Sequence, residues 1–238
     1  MDRFADTIEI FADGADIQTI KEYSEINWIT GFTTNPTLMK KSGVVDYTSF
    51  ARDVLKIINN KSISFEVFGD VHDEMIRQAK IISKWGKNVF VKIPIVNSLG
   101  EPCTKAILEL NKLGIPVNVT AIMTSSQVDK LIPFLESNTP VYLSVFAGRI
   151  ADTGVDPEKI VAQIVEQSNN NKSIKIIWAS PRELLNIYHA IRSGAHIITI
   201  TKDILEKRFL IGKNLDSYSI ETVNMFLSDS QKSGLSLD

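Results

Sequence analysis

Apolar residues return along the chain in two alternating rhythms. Short runs dominated by Val, Ile, Phe, Tyr and Thr are separated by longer stretches in which apolar positions recur every third or fourth residue. The short runs are IEIFA (8–12), WITGFT (28–33), SISFEVF (62–68), NVFVKI (88–93), IPVNVT (115–120), PVYLSVF (140–146), IKIIWA (174–179) and HIITIT (196–201). Most are almost continuously apolar, the character of parallel strands covered on both faces. Between them, 70–86 places Val71, Met75, Ala79 and Ile82 at helical spacing and ends on Gly86. The stretch 101–114 has Pro102 near its start and Gly114 just past its end. The stretch 156–171 opens on Asp156 and Pro157, and 180–194 opens on Ser180 and Pro181, so both predict helix starts at those positions.

Strands alternating with helices from end to end, with no linker or low-complexity seam, predict the α/β class and a single (β/α)8 TIM barrel domain over 1–238. An open doubly wound sheet is the alternative. The chain has no G-x-G-x-x-G after its first strand and no G-x-x-x-x-G-K-[ST], which argues against a nucleotide-binding version. Beyond the eighth strand, 203–238 reads as a C-terminal helical extension. A helix is predicted from about Ser219 to Ser228, with Ile220, Val223, Phe226 and Leu227 on one stripe.

One position breaks the apolar rhythm. Lys92 stands inside VFVKIP (89–94), on the strand face shared by Phe90 and Pro94, while Val89, Val91 and Ile93 point the other way. An ammonium pressed against a helix is far costlier than one at a barrel mouth, where water and counter-charges are within reach. Polar residues also mark the C-terminal ends of the other strands: Asp13, Thr33 with Thr34 and Asn35, Glu66, Asn118 with Thr120, Ser144, Ser180, and Thr199 with Thr201. Barrel enzymes carry their sites at that end. Plainer roles are open for each. Thr34, Thr199 and Thr201 read first as caps or turn formers, and Ser180 as the cap of its helix. Lys92 could be a structural ion pair with Asp13 or Glu66, and Arg149 a solvated surface residue.

Composition excludes more than it adds. The 238 residues are 44% hydrophobic and 23% charged with a net charge of −2, so no bulk basicity points to nucleic acid or an anionic membrane. A single cysteine, Cys103, allows no internal disulfide and fits a reducing, cytoplasmic setting. One cysteine and three scattered histidines do not suggest a metal site. MDRFADTIEI has acids where a secretory signal has its basic start, and no apolar run approaches the ~18 residues of a membrane span.

Several segments together resemble the transaldolases, specifically the short type that includes fructose-6-phosphate aldolases. They are IFADGADI (10–17), GFTTNPTLMKKSG (31–43), VFVKIP, GIPVNVTAIMTSSQ (114–127), YLSVFAGRIADTG (142–154) and WASPRELLNIYHAIRSGAHIITIT (178–201), in family order across residues 8 to about 205. The resemblance implies that Lys92 is the Schiff-base nucleophile, its charged form disfavoured by the barrel interior. It implies that Asp13 acts as general base on the C4 hydroxyl, and that Glu66 with Thr120 holds a proton-shuttling water. Asn35 and Asn118 would bind the dihydroxyacetone unit, with Thr33 and Ser144 lining its pocket. Arg149, Ser180 and Arg182 would grip a sugar phosphate, helped by the dipole of a helix opening at Pro181. No cofactor and no metal is implied.

Glu66 and Phe146 stand where fructose-6-phosphate aldolases carry glutamine and tyrosine, so the resemblance favours transfer of the three-carbon unit over simple cleavage. A simple class I aldolase and a non-catalytic sugar-phosphate-binding barrel are the alternatives. Pro181, Val145 and Ala147 depart from the family pattern beside the phosphate and acceptor pocket. The implied partners are sugar phosphates, with neither nucleic acid nor membrane. A homo-oligomer is expected, a pentamer or decamer by resemblance, with Phe226 in the contact; the alternative is a C-terminal helix folded back on its own barrel.

Overall fold

A computed structural model describes residues 4, 6–58 and 60–234. Its strands are β1 (Glu9–Asp13), β2 (Ile29–Thr33), β3 (Ser62–Glu66), β4 (Val89–Pro94), β5 (Val117–Ile122), β6 (Val141–Val145), β7 (Ile174–Trp178) and β8 (Ile197–Thr201). All neighbouring pairs are parallel, and β8 pairs back onto β1 to close the barrel. Closure gives each of the eight described strands a neighbour on both sides. The helices are α1 (Ile17–Ser24), α2 (Pro36–Lys41), α3 (Tyr47–Ile57), α4 (His72–Ile82), α5 (Thr104–Lys112), α6 (Ala147–Ala151), α7 (Pro157–Ser168), α8 (Asn186–Arg192), α9 (Lys202–Leu205) and α10 (Leu215–Ser233). The expected (β/α)8 TIM barrel is therefore the observed fold.

Side-chain caps fix several of the helix starts. Asp16, Asp46 and Asp156 each accept a backbone N–H of the first turn of α1, α3 and α7. Two expectations need correction. Val71 lies just before α4 and is exposed, whereas Met75, Ile76, Ala79 and Ile82 form the buried stripe. The last barrel helix does not open at Pro181. Ser180 takes a left-handed φ of 59°, and Asn186 Oδ1 accepts the N–H groups of Arg182 (2.7 Å) and Glu183 (3.3 Å). The chain from Ser180 therefore turns before α8 begins at Asn186, and the helix dipole is not aimed from Pro181.

Strand alternation sorts the core into two parts. Outward residues such as Val89, Val91, Ile93, Val119, Leu143 and Ile200 pack against the helices. Inward residues Phe11, Phe90, Tyr142, Ile177, Ala179 and Ile197 plug the barrel. The Phe90 and Tyr142 rings stack with centroids 3.9 Å apart. Towards the N-terminal end of the strands, Lys175 Nζ pairs with Glu9 at 2.6 Å. The plug supports the polar layer above it and keeps water from passing through.

The C-terminal helix α10 starts from an Asn214 cap and ends at Gly234 in the left-handed conformation. It is longer than the predicted Ser219 to Ser228. None of its described residues is buried, and Ile220, Val223, Phe226 and Leu227 are all exposed. It does not fold back on its own barrel.

The plug tolerates little added volume. A Cβ on Gly31 would lie 2.6 Å from the Phe11 ring and 2.7 Å from Ser62 Oγ. Gly31→Ala is expected to lower stability by about 1–3 kcal/mol through overpacking, seen as a reduced denaturation midpoint in urea; an unchanged midpoint would show that the Phe11 ring yields freely.

Candidate active site

The C-terminal ends of the strands enclose a cavity of about 510 Å3. Asp13, Thr33, Asn35, Glu66, Lys92 and Thr120 line it, as do Ser144, Phe146, Arg149, Ser180 and Arg182. Every expected site residue except Asn118 thus faces one space. Asn118 lies just beneath, fully buried.

Strand register makes the centre. Glu66 pairs with Lys92 across β3 and β4, and Lys92 with Asn118 across β4 and β5. Lys92 is 5% exposed, which is little for a group that carries three N–H donors when charged. Its Nζ donates to the Thr34 carbonyl at 3.0 Å and lies 3.3 Å from Glu66 Oε2. The ion pair with Glu66 therefore exists inside the cavity. Tyr47, whose hydroxyl titrates well above its ordinary range because it is buried, donates to the Glu66 carbonyl oxygen at 3.0 Å. That bond holds the end of β3 from outside the barrel.

Asp13 ends β1 between Thr33 of β2 and Thr201 of β8. Thr33 Oγ1 donates to Asp13 Oδ1 at 2.8 Å. The Thr33 hydroxyl has one proton, so at 2.5 Å the Thr199 hydroxyl must be the donor to it. Thr199, read from sequence as a cap or turn former, is instead a buried member of this chain. Burial pushes the Asp13 carboxyl up from its ordinary value; Lys92 and the Thr33 hydroxyl oppose the rise, and Glu66 adds to it.

A second hydrogen-bonded row lies beneath. Ser144 Oγ donates to Asn118 Oδ1 at 2.7 Å, and Asn118 Nδ2 donates to Ser64 Oγ at 2.9 Å. Those bonds fix the amide orientation. Asn35 caps α2, its Oδ1 accepting from Leu38 N at 2.9 Å, so its amide N–H groups are what it can offer a ligand. Thr120 sits at a bulge in β5, where Ala121 takes a φ of 61°. The bulge turns both residues to the cavity. Thr120 Oγ1 is buried with no hydrogen-bond partner among the described residues.

The rim is built by α6 and the β7–α8 turn. Arg149 stands exposed, its Cζ 5.6 Å from the Phe146 ring centroid. Arg182 grips Asp152 through Nε and Nη2. A Cβ on Gly148 would come within 1.6 Å of the Ser180 carbonyl oxygen, so only glycine lets α6 sit under this turn. Gly148, Asp152 and Thr199 were not singled out from the sequence as site residues. The first two lie in the segment that carries Arg149, but nothing in their spacing signals a contact with residues 180–182.

Fold and cavity define a (β/α)8-barrel protein with a buried amine between carboxylates at its mouth. The family described as Transaldolase/Fructose-6-phosphate aldolase matches residues 10–238. A protein named "Probable transaldolase" from Thermoanaerobacter sp. is 33% identical over 231 residues, 97% of this chain and 100% of the relative. "Probable transaldolase 2" from Listeria monocytogenes is 34% identical over 201 residues, 84% of this chain and 88% of the relative. This chain belongs to the transaldolase/fructose-6-phosphate aldolase family.

Among solved structures, 4-hydroxy-tetrahydrodipicolinate synthase from Methylacidiphilum fumariolicum SolV aligns with a TM-score of 0.60 at 16% identity, covering 86% of this chain and 73% of that one. Tryptophan synthase subunit alpha from Campylobacter jejuni aligns at 0.54 and 15%, covering 90% and 94%. They share the barrel.

The Asp13 environment carries a pH consequence. A carboxyl raised in the folded state binds its proton more tightly there than in the unfolded chain. Its contribution is fully present below the ordinary value of about 3.9 and is lost as pH rises through the folded value. Asp13→Asn is therefore expected to raise the melting temperature at pH 7, with the gap closing below about pH 4. Calorimetry at the two pH values checks it, and a lower melting temperature at pH 7 would contradict it.

Proposed function

We propose that this protein is a transaldolase that carries a dihydroxyacetone unit on Lys92 from a ketose phosphate, such as fructose 6-phosphate or sedoheptulose 7-phosphate, to an aldose phosphate. The observation that carries the reading is the buried Lys92 Nζ, 3.3 Å from Glu66, in one cavity with Asp13. Once its proton has passed to Glu66, 3.3 Å away, the Lys92 amine attacks the ketose carbonyl, and loss of water leaves an iminium. Asp13 takes the C4 hydroxyl proton, the C3–C4 bond breaks, and its electrons neutralise the iminium as an enamine. The aldose phosphate leaves, an acceptor aldehyde adds in the reverse sense, and water releases the product. Glu66 and the Thr120 hydroxyl, which has no partner among the described residues, suit a water that moves protons during imine formation. Asn35, Asn118, Thr33 and Ser144 suit the hydroxyls of the held fragment.

Phe146 separates transfer from simple cleavage. Its ring lies beside the inner apolar cluster and offers no hydroxyl to position a hydrolytic water. The enamine then waits for an aldehyde. Incubation with fructose 6-phosphate alone should release almost no dihydroxyacetone, while added erythrose 4-phosphate should yield sedoheptulose 7-phosphate. Steady release without acceptor would make the protein a simple aldolase. Borohydride with substrate should add mass at Lys92. Lys92→Arg should abolish turnover and trapping, because a guanidinium does not form the imine.

Assembly and location belong to the same reading. Among the described residues no helix is long and apolar enough to cross a membrane, and the free thiol of Cys103 is buried, which suits the cytoplasm. The C-terminal extension expected over 203–238, described as far as residue 234, belongs with a single barrel domain. The exposed apolar residues of α10 support a homo-oligomer with Phe226 in the contact; a pentamer or decamer is what the family resemblance implies. Light scattering should find an oligomer for the whole chain and a monomer for a chain ending at Asn214. A monomer in both would refute it.

A further inference from the structure

The two arginines that the family resemblance implies for gripping the sugar phosphate stand differently in the structure. Arg149 has no ion-pair partner among the described residues and lies over the Phe146 ring. Arg182 is held by Asp152, which follows α6 and lies thirty positions away in sequence. Nε donates to Asp152 Oδ1 at 3.2 Å and Nη2 to Oδ2. The clamp occupies one edge of the planar guanidinium. The remaining edge, Nη1 and the second N–H of Nη2, has no partner among the described residues and can take two oxygens of an anion, and Arg182 lines the cavity.

The surroundings make this a seated pair. The Arg182 backbone N–H is tied to Asn186 Oδ1 at 2.7 Å. Gly148 packs against the Ser180 carbonyl, so α6 and the turn bearing Arg182 meet without a side chain between them. Asp152 and Arg149 are then set by the same short helix. An unclamped arginine at this half-exposed rim would spread over many rotamers, and ordering it would oppose binding.

We propose that Asp152 is a positioning residue that sets selectivity for phosphorylated substrates by presenting the free edge of Arg182 to the phosphate. Its carboxylate also offsets part of the Arg182 charge, so the site selects by geometry and leaves Arg149 as the uncompensated cation. This rests on the transaldolase reading, since it presumes a sugar phosphate in this cavity.

The test uses trapping on Lys92 by borohydride, followed by mass spectrometry, with two compounds. Fructose 6-phosphate needs the phosphate grip; dihydroxyacetone forms its imine on the same lysine without one. In Asp152→Ala the half-saturating concentration of fructose 6-phosphate should rise about tenfold, the scale of one bidentate charged contact. The value for dihydroxyacetone should stay the same, which also reports an intact barrel. Asp152→Glu should restore most of the affinity. Arg182→Ala should give a similar rise, and the double variant no further rise, because the two residues act as one unit. An unchanged value for fructose 6-phosphate, an equal loss with dihydroxyacetone, or additive effects in the double variant would each overturn the proposal. No adduct from either compound in the unaltered protein would overturn the Schiff-base reading itself, and this proposal with it.

Discussion

The structure turns on keeping an amine inside a closed barrel. Taking an ammonium out of water costs several kcal/mol unless partners replace its hydration, roughly the penalty that makes unpaired buried charges rare. Lys92 meets that cost with the Thr34 carbonyl and Glu66, near Asp13. The partners come from different strands: Thr34 follows β2, Glu66 ends β3 and Asp13 ends β1. A closed parallel sheet brings β1, β2, β3 and β4 to the same height, and the register of Glu66 with Lys92 follows from pairing β3 against β4.

Around this centre the polar groups are ordered by one another. Thr199 donates to Thr33 and Thr33 to Asp13, so the Asp13 oxygen left facing the cavity is chosen by a chain that begins on β8. Ser144 and Ser64 choose the orientation of Asn118 in the same way. Such networks are stiff when every member is satisfied. Among the described residues the Thr120 hydroxyl has no partner in this layer, and it sits where β5 bulges towards the cavity. The apolar plug of Phe11, Phe90 and Tyr142 below gives the layer a dry floor.

The rim follows different physics. There the backbone takes a left-handed φ at Ser180, and charged groups are half exposed. A single surface ion pair contributes little to stability, typically about 0–1 kcal/mol. Its value at this place is directional, because a fork held on one edge presents the other edge in a defined plane. The glycine at 148 allows the close approach that this geometry needs.

The apolar rhythm by itself determined the eight strands, since continuous Val, Ile and Phe runs between amphipathic stretches have few folds open to them. It also placed Lys92 on the inward face, because alternation is a property of any strand, and it marked Asp13, Glu66, Asn118 and Ser144 as strand-end polar groups. The extra apolar stripe after β8 was legible for the same reason, although its helix runs further at both ends. Tertiary structure alone decided what those residues touch. Thr199 reads as a turn former in sequence and becomes a donor only when β8 closes beside β1. The start of α8 moved to Asn186 because a side-chain bond to Arg182 and Glu183 outweighs a Ser-Pro start signal. Gly148 and Asp152 meet the turn at Ser180–Arg182 across thirty residues of chain, a proximity set by the packing of α6 under β7 and by no local propensity.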